Sequence, residues 1–420
     1  MIIKPFKGFR PRPDLAFKVA LNPNNLLSEP ERREAARQNK YSFAHVVKPR
    51  IDFPDEIRKT DLQLFEHARD YFEKMLRQGT ILRDEQPCFY IYRMSMQNHS
   101  QTGLICCLHI KNYLDGKVKK HENTRAEKEK ENVLHISNTR LNSNPVFLAY
   151  NPVPEIDILL QFITENESPA YDFFSEAGVQ QQVWIVKDEV TLEKLISLFD
   201  KKVLFSYIAD GHHRAAAAAI YAKQRVQELG GQSDFQDHQY FLSCLFPSNQ
   251  LRIYEYNRSV KSLNGYSENE FMSRLSEKFF IKEASRSPYR PTKSHRFGMF
   301  LESKWFKLKA KEGTYKNDAT GVLDVTILQE NVLEPILGIK DPRIDKRVDF
   351  IPGITELKEL EKLVIKGKAM IAFSLYPVTM DQLFAISDKG EVMPPKSTWF
   401  EPKLMSGLII FRMEEQKRFS

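Results

Sequence analysis

Val203-Leu204-Phe205-Ser206-Tyr207-Ile208, followed by Asp210-Gly211-His212-His213-Arg214 and the alanine run Ala215 to Ala219, is the stretch whose reading decides the fold class. The first word is apolar and rich in strand formers. The alanines have the highest intrinsic helix propensity, and the helix they begin runs to about Leu229, where Gly230-Gly231 closes it. The polar word between them therefore sits on a strand-to-helix turn. The first turn of such a helix leaves backbone N–H groups without acceptors, and phosphate is their usual occupant. Gly211 allows a sharp turn and a close backbone approach, while Arg214, His212 and His213 add donors for anionic oxygens. The plain structural alternative is that Asp210 caps the helix and the histidines face solvent. His212 and His213 project about 100° apart on a helix and share no face, so no metal ligand is assigned.

Outward from this turn, strands and helices alternate. Toward the N-terminus lie a strand at Val183-Trp184-Ile185-Val186, a helix over 189–199, a helix around 155–165 and a strand at Pro145 to Tyr150. Phe89 to Met94 and Thr102 to Ile110 read as a hairpin, and Leu62, Phe65, Tyr71, Phe72 and Met75 mark a helix capped at Thr60 or Asp61 and stopped by Gly79. Ser42 to Val47 suits a further strand. Beyond the helix, Gly230 to His238 is a polar connector, followed by strands at Tyr240 to Phe246 and Leu251 to Tyr256 and strand-like alternation over Phe297 to Leu308. These elements predict an α+β (mixed α/β) protein with an N-terminal α/β region over 1–232 and a C-terminal α+β region over 233–420.

A second polar constellation precedes the central one. Lys119-Lys120-His121-Glu122-Asn123-Thr124-Arg125 gathers cations, an imidazole and a carboxylate within seven residues. Glu122 suits a general base, with Lys120 and Arg125 positioned to hold transferred charge; the alternative is a solvated helix start with Thr124 and Glu127 as a capping box. Near the C-terminus, Met393-Pro394-Pro395-Lys396-Ser397-Thr398-Trp399 is too proline-rich for regular structure; a loop bearing Lys396 and Lys403 there can close over a ligand, and the alternative is a proline-stiffened domain clasp.

Bulk properties narrow the classes. With 420 residues, 42% hydrophobic and 28% charged, the chain is an ordinary globular protein of two or three lobes. Its 62 basic residues are interleaved with 55 acidic ones, which favours a local anionic site over a nucleic-acid groove. Cys88, Cys106, Cys107 and Cys244 lack paired spacing and read as reduced residues, mostly in strands. The N-terminus lacks a signal-peptide core, and no run approaches the ~20 apolar residues of a membrane span. A cytoplasmic location without membrane partners is expected, and the sequence does not set an oligomeric state.

Ile3-Lys4-Pro5-Phe6-Lys7-Gly8, Lys120-His121-Glu122-Asn123-Thr124-Arg125, Asp210-Gly211-His212-His213-Arg214 and Met393-Pro394-Pro395-Lys396-Ser397-Thr398 together resemble a bacterial and archaeal family catalogued as a domain of unknown function. Tyr256-Asn257-Arg258 and Leu263-Asn264-Gly265 share the resemblance, which covers nearly the whole chain. Through Gly211-His212-His213-Arg214 the family is also similar to the ParB/sulfiredoxin superfamily, which includes free-serine kinases. That resemblance implies a ParB/sulfiredoxin-like core with a C-terminal α+β lobe. It also implies phosphate contacts from Gly211, His212, His213 and Arg214, with Asp210 on substrate or metal-bound water. The sequence departs from the family at Pro23-Asn24-Asn25-Leu26, where many relatives read Pro-Tyr-Asp-Val, and at Arg50, where many have glutamate. Those departures point to a divergent or inactive member, or to Glu122 as the working carboxylate.

The resulting expectation is a nucleotide- or phosphate-binding protein that acts as a small-molecule, serine-type kinase. A phosphoserine-type phosphatase and a non-catalytic ParB-like nucleotide switch are the alternatives. Glu122, His121 and Asp210 are the expected catalytic residues. Gly211, His212, His213, Arg214, Lys120, Arg125 and Lys396 are the expected contacts to ATP or ADP with magnesium, and the partner is a small phosphorylated ligand.

Overall fold

The computed structural model describes residues 1–22, 29–54, 56–57, 59–231, 236–285 and 288–414. The departure at Pro23 to Leu26 lies outside the described residues, as does the middle of the polar connector. The chain forms two compact units, Met1–Leu251 with Pro402–Ser420, and Arg252–Glu401.

The first unit is a mixed sheet flanked by helices. Its strands are β1 (Ile3–Lys4), β2 (Phe89–Met96), β3 (His99–His109), β4 (Val118–Lys119), β5 (Val146–Tyr150), β6 (Tyr171–Phe174), β7 (Gln180–Val186), β8 (Ser206–Asp210) and β9 (Tyr240–Pro247). They run in the order β4-β8-β5-β9-β3-β2-β7-β6, with β1 paired to β3. The β8–β4 and β9–β5 pairs are parallel, and the other pairs are antiparallel. The strand that follows the polar connector thus lies between β5 and β3 in the middle of this sheet.

The helices that matter for the site are α1 (Ala44–Val47), α2 (Asp61–Arg77), α3 (Ala126–Thr139), α4 (Pro154–Asn166), α5 (Glu189–Lys202) and α6 (His212–Glu228). A reciprocal capping box joins Thr60 and Gln63 at the start of α2. Ala215, Ala218, Ala219 and Ala222, spaced i, i+3, i+4, i+7, form the face of α6 in the main core beside Leu148, Ile208 and Phe241. Their small side chains let α6 lie close to the sheet, which brings its N-terminus to the end of β8.

Two local readings differ from expectation. Ser42 to Val47 is not a strand: the Ser42 hydroxyl accepts the Ala44 N–H at 3.2 Å, and this local turn starts α1, which gives way to a 3-10 turn led by Pro49. β8 begins at Ser206 because Val203 is the C-cap of α5, and Leu204 and Phe205 are exposed on the connection. All four cysteines are free and buried, three of them in β3 and β9. Among the described residues no helix is long and apolar enough to cross a membrane.

The second unit is an antiparallel sheet of β10 (Tyr256–Val260), β11 (Phe279–Glu283), β12 (Arg296–Leu301), β13 (Lys304–Ala310), β14 (Val348–Pro352) and β15 (Ile371–Ser374), in the order β11-β13-β12-β15-β10-β14.

Candidate functional site

The turn between β8 and α6 opens into a cleft of about 440 Å³, within the range of small-ligand pockets. Gly211 is the N-cap of α6, at φ 104°, and no side chain caps the helix. Asp210 therefore does not play the capping role that the plain alternative gave it, and the first-turn N–H groups remain available to a ligand. Arg214 folds back over the glycine: a Cβ on residue 211 would lie 2.7 Å from Nη2 and 2.8 Å from Nε of Arg214. Only glycine suits both the left-handed backbone and this close approach.

The two polar sequence words meet here. The backbone N–H of Arg125 donates to Nε2 of His213 at 3.0 Å, which ties the start of α3 to the start of α6. The expected Thr124–Glu127 capping box does not form. Thr124 bonds Glu129 instead, and Arg125 as N-cap leaves α3 without a side-chain cap. Glu122 Oε2 lies 3.8 Å from Nδ1 of His212, and the His121 ring packs edge-on to His212 at 4.6 Å between centroids. His121 and His212 are both buried. Nε2 of His212 and Nε of Arg214 are buried polar atoms with no hydrogen-bond partner.

Asp210 lies between two cations, Arg214 Nη2 at 3.6 Å and Lys403 Nζ at 3.5 Å. Burial pushes its carboxyl upward, but Lys403, Arg214 and His212 outweigh that and hold it below the usual carboxylate range. Burial lowers His121 to about 4 and, with His121 beside it, takes His212 well below its usual value. Both imidazoles are therefore neutral at pH 7.

That neutrality carries a pH signature. In the unfolded chain these histidines titrate near 6.5; because the folded values are depressed, the unfolded state binds more protons as pH falls. Stability is full above about 6.5 and is lost toward about 4. His121 alone contributes on the order of 3 kcal/mol to this loss. Urea unfolding midpoints should hold from pH 7.5 to about 6.5 and fall from there to pH 5, and a flat profile would contradict buried neutral imidazoles.

Of the residues expected from sequence, Glu122, Arg125, Asp210, Gly211, His212, His213 and Arg214 line one cleft. His121 sits behind His212 rather than on the cleft wall. Lys120 places its ammonium 5.0 Å from the Tyr113 ring centre and does not line the cleft. Lys396 belongs to the second unit, where its ammonium lies over the Tyr256 ring. Sequence reading missed Lys128, Asn132 and His135, which reach the cleft from α3 at i, i+4, i+7 spacing, and the apolar wall of Leu21, Val47, Phe65, Ile136, Leu141 and Val146. Arg50 lies in the 3-10 turn Pro49–Asp52, where its guanidinium donates to the Ile57 carbonyl. Among the described residues no group of three or more His, Cys, Asp or Glu is arranged to hold a metal ion.

The family described as "Protein of unknown function (DUF1015)" matches residues 3–326. No curated protein matches the sequence. Among solved structures, the chain is similar to a free serine kinase in complex with AMP, at 15% identity over 73% of this chain and 92% of that one, with a TM-score of 0.34. It is also similar to a conserved hypothetical protein from Pyrococcus furiosus, at 15% identity, 73% and 95% coverage and a TM-score of 0.35. A third is SbnI with C-terminal truncation from Staphylococcus aureus, at 10% identity, 72% and 85% coverage and a TM-score of 0.34.

Proposed function

Since this chain belongs to the DUF1015 family, proteins of unknown function, we propose that it is a nucleotide-binding phosphotransferase, from the chemistry of the cleft, and that it acts on a small hydroxyl substrate of the serine type, from the resemblance of Gly211-His212-His213-Arg214 to the free-serine kinases' superfamily. The observation that carries this reading is the uncapped N-terminus of α6 at Gly211, with Arg214 folded over it and a buried Nε without a partner. Backbone N–H groups, the helix dipole and a guanidinium there meet one requirement, a phosphate. The apolar wall at Val47, Phe65 and Ile136 gives a nucleobase a place in the same cleft.

In this reading the terminal phosphoryl of ATP or ADP lies against the start of α6, with Arg214 and Arg125 on its oxygens. The substrate hydroxyl attacks phosphorus and passes its proton to Glu122. The bond from phosphorus to the nucleotide oxygen breaks, and the shortened nucleotide leaves with the electron pair. Asp210, already committed to Arg214 and Lys403, orients those cations. Magnesium carried in on the nucleotide phosphates would neutralise phosphoryl charge, and Asp210 is the cleft carboxylate that would face it while Glu122 serves as base.

Phosphorus NMR of the protein with serine or phosphoserine and a panel of nucleotides tests the assignment. Phosphoserine formed at the expense of nucleotide supports the kinase. Phosphate released from phosphoserine makes the site a phosphatase, and no turnover of any pair removes both. Nucleotide at about a hundredfold its Kd should add about 2.7 kcal/mol of stability. Stabilisation without turnover would identify a ParB-like switch, and none at all would remove the phosphate-site premise.

A further inference from the structure

Alternate residues of a strand share a face, and on β2 and β3 one such face changes character along its length. Phe89 and Ile91 on β2, with Leu104, Cys106 and Leu108 on β3, belong to the main core. Arg93 and Thr102, which pair across the two strands, continue the same columns as polar residues. Ile156, Leu160 and Ile163 of α4 are also in this core, and Asp157, Gln161 and Glu165 follow one another beside them at i, i+4, i+8. Arg93, Thr102, Leu160, these three α4 residues and Gln250 enclose a second cavity of about 220 Å³. It shares no lining residue with the α6 cleft: β5 begins at that cleft with Val146, and α4 starts beyond its other end.

The cavity holds opposite charges that do not neutralise each other. Arg93 donates from Nε to Thr102 Oγ1 at 3.0 Å and from Nη2 to Thr164 Oγ1 at 2.7 Å, and its guanidinium lies 5.1 Å from the Trp184 ring centre. These contacts fix the fork, yet among the described residues Arg93 is in no ion pair and its Nη1 has no acceptor. Asp157 makes no side-chain hydrogen bond among the described residues, and its Oδ1 is buried without a partner. Burial accordingly raises its carboxyl above the usual value. Gln250 accepts the Thr102 N–H on Oε1 at 2.8 Å, which leaves its amide NH₂ as a further donor. A structural role accounts for part of this: Arg93 ties the sheet to α4, and an acidic residue in the first turn of α4 suits the helix dipole. The dipole is served equally by a solvated carboxylate, so it does not explain an oxygen buried against no donor.

We propose that this cavity binds a small zwitterion of the free amino acid class, with the ligand carboxylate on Arg93 and the ligand ammonium on Asp157. Its volume lies below the ~300–1,000 Å³ of drug-sized ligand sites, which restricts the ligand to a small molecule. The proposal does not depend on the reading of the α6 cleft. Calorimetric titration of the full chain with glycine, alanine, serine, asparagine, glutamate and lysine tests it, with propionate and ethylamine as probes that each lack one charge. Saturable binding of at least one amino acid is expected, weakened about tenfold or more by Asp157→Asn and unchanged by Arg214→Ala in the other cleft. Asp157 has no side-chain bond to lose, so Asp157→Asn should melt no lower than wild type. Arg93→Lys keeps the charge but not the fork and should also weaken binding. No saturable binding of any amino acid, binding indifferent to Asp157→Asn, or propionate or ethylamine binding as tightly as alanine overturns the site.

Discussion

Glu122→Gln is expected to slow phosphoryl transfer by about 10²–10⁴-fold while leaving nucleotide-dependent stabilisation intact. Of the three carboxylates that line the cleft, Glu122 and Asp210 lie beside His212 and Arg214 at the start of α6, and their surroundings separate their roles. Asp210 is held below the usual carboxylate range, against the effect of burial, by Lys403 and Arg214, so it is a weak base whose charge is already engaged. Glu122 places Oε2 3.8 Å from Nδ1 of His212, whose imidazole is neutral at pH 7. Glutamine keeps the size of the side chain and its hydrogen-bonding reach but cannot take the proton. Single-turnover rates with nucleotide in excess, set beside melting-point shifts on nucleotide, separate chemistry from binding. A rate within about threefold of wild type would place the base elsewhere, with unpartnered Nε2 of His212 next in line.

Why the turn at the start of α6 was legible in the sequence, and why much around it was not, follows from the range of the interactions involved. The strand-turn-helix at 206–212 is set by local rules, namely β-formers, then glycine, then alanine, and those rules survive folding. The i, i+3, i+4, i+7 alanines also announce which face of α6 meets the sheet. Packing decided what local rules did not. The charged stretch before Asn132 continues as α3, and Lys128, Asn132 and His135 share a face that gains meaning only because α3 packs beside α2 and α6. Lys120 and Arg125 look equivalent in sequence, yet a five-residue shift along an irregular segment sends one to the Tyr113 ring and the other to the cleft.

Gly211→Ala is expected to weaken nucleotide binding by tenfold or more, beyond its effect on folding. Two costs fall on one methyl group. The left-handed backbone costs an alanine about 1–2 kcal/mol. The added Cβ would also stand 2.7 Å from Nη2 of Arg214, so the guanidinium has to leave the position that aims it at the cleft. A charge-assisted hydrogen bond is worth about 1.5–3 kcal/mol, and its loss alone is a tenfold or larger change in affinity. Gly230→Ala separates the two costs: Gly230 follows the same helix at φ 73°, and a Cβ there meets nothing within 4 Å. Both variants should therefore melt lower than wild type by similar amounts, because both place alanine in a left-handed turn. Only Gly211→Ala should lose nucleotide-dependent stabilisation, and Arg214→Ala, with no backbone strain, should reproduce that loss without the drop in melting point. If Gly211→Ala and Gly230→Ala bind nucleotide equally, Arg214 is not held over the turn for a phosphate, and the start of α6 is a structural feature alone.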